Sequence, residues 1–85
     1  MKVVSKNIEM IAYFKTDGSI RPIRFRIEEE QCEVIKITKI LRVEMEKLCG
    51  NKMMVYTCCA LIDGIEKIFE IKYDLAKMKW ILFKI

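Results

Sequence analysis

Asp63-Gly64 separates two β-prone runs, Met53 to Ile62 and Ile65 to Tyr73. An Asp-Gly pair suits a two-residue turn in which both central residues take positive φ, because the twist of that turn matches the strands it joins. Such a turn also decides which residues face one another. Ile62 falls opposite Ile65, Ala60 opposite Lys67, Cys58 opposite Phe69 and Tyr56 opposite Ile71. On the other side Leu61 faces Glu66, Cys59 faces Ile68, Thr57 faces Glu70 and Val55 faces Lys72. The first face, with Tyr56, Cys58, Phe69, Ile71 and Tyr73, is predicted to be core. The second mixes Val55, Leu61 and Ile68 with Glu66, Glu70 and Lys72, and is predicted to meet solvent.

The same logic recurs upstream. Ile8 to Phe14 is β-prone and ends near Asp17-Gly18, and Ser19 to Ile27 follows. In this second arm Ile23, Phe25 and Ile27 alternate with Pro22, Arg24 and Arg26, the pattern of a half-buried antiparallel strand. Pro22 has no N–H to give a ladder, which places it at an edge or beside a bulge. Glu28 to Gln31 reads as a polar turn. A third strand is expected from about Cys32 to Leu41, with its period slipping near Lys39 as at a bulge. Beyond it, strand passing into a charged loop competes with a short helix over 39–49, in which Leu41, Met45 and Leu48 would share a face and Gly50 would be the residue after the helix. Met78 to Ile85 closes the chain as an apolar strand, with Ile81, Phe83 and Ile85 on one side and Trp80, Leu82 and Lys84 on the other. The expected architecture is all-β: one domain over residues 1–85, a six-stranded antiparallel curved sheet or small SH3-like or OB-like barrel.

Composition narrows the function classes. A chain of 85 residues with 53% hydrophobic residues and one proline is a compact domain. Sixteen basic residues against 12 acidic leave a net charge of +4, which permits polyanion binding without requiring it. Met1 to Lys6 lacks the apolar core of a secretory signal, and the longest uncharged run, Met53 to Ile62, is too short for a membrane-spanning helix. Reduced thiols and a cytoplasmic location are the corresponding expectations, with no membrane association. Without histidine there is no Ser-His or Cys-His nucleophile pair, and most zinc arrangements fall away. Cys58 and Cys59, adjacent in a strand, point to opposite faces and are read as packing residues. Glu28, Glu29, Glu30 and Glu33 are read as a solvated turn. No enzyme, cofactor or metal is expected.

The basic groups carry the remaining signal. Arg21, Arg24 and Arg26 lie on one short strand with no acid among them, and Lys72, Lys77, Lys79 and Lys84 stand in the last segment against only Asp74, with Trp80 among them. Guanidinium groups beside an exposed aromatic can hold a single nucleic-acid strand through phosphate contact and base stacking. That reading needs Trp80 and the arginines on one face. In the bland alternatives the arginines are merely a solvent face and Trp80 fills the core.

The segments Ile20-Arg-Pro-Ile-Arg-Phe-Arg26, Ile35-Lys-Ile37, Phe69 to Asp74 and Lys79 to Lys84 resemble a group of short uncharacterised Gram-positive bacterial proteins. Those proteins carry an early Pro-x-Arg-Phe-Arg segment and a Trp-containing last strand. Some look as if they are encoded beside translesion-type DNA polymerases, so the resemblance implies an accessory role in DNA repair. Cys58, Cys59 and Ile81 depart from the charged or aromatic residues such relatives often have.

The leading expectation is a non-enzymatic binding or accessory module for nucleic acid or a DNA-repair protein, using Arg21, Arg24, Arg26, Trp80 and Lys84. The rival is an assembly protein, for instance a homodimer, that pairs through its apolar last strand with Trp80 and Leu82 as anchors.

Overall fold

The computed structural model describes residues 1–28 and 33–85. The expectations resting on Glu29, Glu30, Gln31 and Cys32 lie outside the described residues. The strands are β1 (Val3–Phe14), β2 (Ile20–Ile27), β3 (Ile35–Lys36), β4 (Lys39–Leu48), β5 (Asn51–Ile62), β6 (Ile65–Asp74) and β7 (Lys79–Lys84). They form one antiparallel sheet in the order β3-β2-β1-β7-β6-β5-β4, curled into a half-barrel.

The connections force the curl. Laid flat, seven strands at about 4.8 Å spacing would hold the two edges roughly 29 Å apart. Yet only Ile37 and Thr38 join β3 at one edge to β4 at the other, a reach of about 11 Å. The edges therefore meet at this corner. There the Ile37 N–H donates to the Ile23 carbonyl at 2.9 Å and the Thr38 N–H to the Cys59 carbonyl at 2.9 Å. Across the hollow, the Tyr56 hydroxyl donates to the Ile20 carbonyl at 2.9 Å. The chain ends pair too, Lys2 and Ile85 exchanging hydrogen bonds of 2.8 and 2.9 Å. The strands thus follow one another around the curl in chain order, with a seam between β3 and β4.

The hollow face is the core. Phe25, Tyr56, Phe69, Ile71 and Leu82 are almost wholly buried, and each such side chain stabilises the fold by about 1.5–3 kcal/mol. Phe25 meets Phe69 edge-on at 5.6 Å, while Trp80 lies 4.6 Å from Tyr73 and 5.7 Å from Tyr56. The register across Asp63-Gly64 is the expected one at every position from Ile62–Ile65 to Val55–Lys72.

Several details of the expected sheet are corrected. The sheet has seven strands rather than six, because the segment read as a third strand divides into β3 and the start of β4. Residues 39–48 are strand, neither loop nor helix. Cys49 and Gly50 take φ of 52° and 81°, a two-residue turn that fixes β4 against β5 from Leu48–Asn51 onward. The slip expected near Lys39 is a bulge at Leu41. In β2 another bulge, opposite Ile11–Ala12 of β1, reverses the alternation at Ile23: Pro22 is buried with Phe25, and Ile23 turns outward. Finally, β7 is central, with β1 on one side and β6 on the other. Both its edges are paired, so it cannot add a strand from a second chain, and Leu82 at 1% exposure is no anchor.

Candidate nucleic-acid interface

Residues directly opposite in an antiparallel pair share a face, so the β1–β2 register places the arginines. Arg21 stands opposite Tyr13, Arg24 opposite Ile11 and Arg26 opposite Glu9. On β1 the intervening Met10 and Ala12 pack toward the core, so Glu9, Ile11 and Tyr13 project from the convex side. The three arginines go with them. Simple alternation would have put Arg21 on the face opposite Arg24 and Arg26; the extra residue, Ile23, rotates it back into line. Lys36 of β3 stands on the other flank of Arg24 and completes the stripe.

The convex stripe is open to solvent. Arg21, Arg24, Arg26 and Lys36 are exposed, as are Tyr13 at 62% and Ile11 at 54%. Glu9 engages Arg26, with Nε 2.6 Å from Oε1. Among the described residues no carboxylate is ion-paired with Arg21, Arg24 or Lys36. Among the described residues the stripe therefore offers three cations without an ion-paired acid, on the same face as the exposed Tyr13 ring.

Trp80 does not belong to this surface. It is 9% exposed and lies on the hollow side, with Ile8 and Tyr73 as its cross-strand neighbours. The sheet itself separates it from the arginines, because β7 became an interior strand whose even positions face the core. Lys84 is also remote. It pairs in register with Val3 at the far end of β1, some 25 Å along the strand from Ile11, and its Nζ sits 5.5 Å from the Phe83 ring centroid. Of the expected set, Arg21, Arg24 and Arg26 come together, and Trp80 and Lys84 do not join them.

Tyr13, Ile11 and Lys36 were not singled out from the sequence. The alternation of Ile11 and Tyr13 against Met10, Ala12 and Phe14 was available, but locating them beside the arginines required the bulge and the register of a five-residue loop.

The other polar clusters satisfy themselves. Lys72 is held 3.0 Å from Glu46 and 3.7 Å over the Phe83 ring. Burial, then the neighbouring Cys59, pushes the Cys58 thiol up to about 12, so it stays protonated and inert near neutral pH. Cys49, Cys58 and Cys59 are free. Among the described residues no group of three or more Cys, Asp or Glu is placed to hold a metal ion, and no helix is long and apolar enough to cross a membrane.

A scan against protein-family models finds no match, and comparisons with curated proteins and with solved structures find none either. Function therefore has to be argued from the site.

Proposed function

We propose that this protein is a cytoplasmic, non-enzymatic module that binds single-stranded nucleic acid on the convex face of β1, β2 and β3. The observation that supports it most is the β2 bulge, which brings Arg21 beside Tyr13 onto the face that Arg24 and Lys36 share, all three cations unpaired with acid among the described residues. Arg21, Arg24 and Lys36 take the phosphates and Tyr13 stacks a base, a division of labour that tolerates any sequence. Arg26 contributes less because Glu9 already neutralises it. A repair-protein partner is the second reading: Arg and Tyr also suit a protein interface, whereas the exposed Lys36 and the unpaired cations favour phosphate.

Fluorescence anisotropy with a labelled oligothymidylate tests the reading. With about three phosphate contacts, log affinity should fall against log salt with a slope near −2, at roughly −0.7 per contact on single strands. Arg24→Ala should flatten the slope by about 0.7. Tyr13→Ala should weaken binding by about 1–3 kcal/mol with little change in slope. Absence of binding at low salt would contradict the proposal.

A further inference from the structure

We infer that the edge of β4 that pairs with no strand among the described residues pairs with the same edge of a second copy, in an antiparallel register centred on Glu44. The two ends of the sheet are unlike. β3 is two residues long, whereas β4 presents ten, and a long unpaired edge is a template for strand addition. The register decides which main-chain groups are available. In a two-residue hairpin the residues flanking the turn exchange both hydrogen bonds, and the pattern alternates from there. Counting from Leu48–Asn51, the N–H and C=O groups of Glu46, Glu44 and Arg42 face β5. Those of Lys47, Met45 and Val43 face outward.

Charge selects among the two-fold registers. Centring on Met45 sets Glu44 against Glu46 of the second copy twice, which is repulsive. Centring on Val43 leaves Met45 facing Leu41, where the bulge breaks the regular edge. Centring on Glu44 lets Val43 and Met45 of each copy exchange main-chain bonds and puts Arg42 opposite Glu46 of the second copy on both sides. The remaining Glu44–Glu44 contact is offset because each Glu44 already holds its own Arg42. On the hollow side the same pairing covers Val43 and Met45, which are 48% and 55% exposed in the single chain. Opposite charges and apolar pairs directly across strands are the units that stabilise such a join.

Sedimentation over a concentration series tests the inference. The apparent mass should rise from 10.1 kDa toward twice that value. Met45→Pro removes an outward N–H and leaves the β5 ladder intact, so it should raise the dimer dissociation constant about tenfold or more with the circular dichroism unchanged. Arg42→Glu and Glu46→Arg should each be monomeric alone, and their mixture should regain the dimer mass. If Met45→Pro does not fold, the charge variants decide. A wild-type chain that stays monomeric up to millimolar concentration would overturn the inference. So would a dimer indifferent to Met45→Pro, or charge variants that fail to complement.

Discussion

Asp74 shows how one side chain can close a turn that its neighbours would not make unaided. Its Oδ1 accepts from the N–H groups of Ala76 and Lys77 at 3.0 and 3.1 Å, and its Oδ2 from the Asn51 amide at 3.3 Å. The Lys77 N–H above all holds the carboxyl below its ordinary value of 3.8, with burial opposing and Asn51 and Ala76 assisting. A carboxylate whose pKa is depressed by folding contributes stability that is fully present above its unfolded value. That contribution is lost as pH falls through the folded one. Acid unfolding followed by circular dichroism should therefore show the wild type losing stability below about pH 4, and Asp74→Asn losing less over the same range while starting from a lower level. Equal acid slopes would show that the carboxylate is not coupled to folding. Asp74 sits in a segment that reads only as a polar connection, because its partner Asn51 opens β5, 23 residues away in sequence.

At the scale of elements, identical dipeptides do different things. Asp63 and Gly64 take φ of 52° and 76°, so the register of β5 against β6 could be written from residue types alone. Asp17-Gly18 looks the same in sequence but forms a longer loop. The Gly18 N–H donates to Lys15 at 3.0 Å and Lys15 N–H to Ser19 at 2.9 Å, Gly18 alone taking positive φ there. The Asp17 carboxylate turns inward to accept from the Ser19 N–H and hydroxyl at 2.9 and 2.7 Å. Cys49-Gly50 makes the tight turn without looking like one, since cysteine is no turn former and the flanking residues suit a helix. Turn chemistry gives a direct check: Cys49→Asn supplies a residue at ease with φ near 52° and should stabilise the protein by roughly 0.5–1 kcal/mol in urea unfolding. Unchanged or lowered stability would mean that the strain lies elsewhere. The β2 bulge was half legible. Pro22 announced an irregularity, but not that Ile23 would be the extra residue or that Arg21 would swing to the outer face.

For the whole molecule, what could not be read was which strands are neighbours. Periodicity identified β7 as apolar on both faces, and that is equally true of a central strand and of an unpartnered one. Pairing of the chain ends, Lys2 with Ile85, made it central and drew Trp80 inward to Tyr56 and Tyr73. The proposed site is unaffected by this change because the arginines depend on the β1–β2 hairpin, a local unit, and the proposal takes Tyr13 in place of Trp80 as the aromatic group. The β4 edge and the convex stripe lie on different elements, so nucleic-acid binding and self-association should be separable by mutation. The most direct test of the binding face is an amide chemical-shift titration of the labelled protein with a short oligothymidylate at low salt. Shifts concentrated at Ile11, Tyr13, Arg21, Arg24 and Lys36, with Val43 and Met45 unmoved, are the expected result. Absence of shifts, or shifts confined to other surfaces, would contradict the assignment of this face.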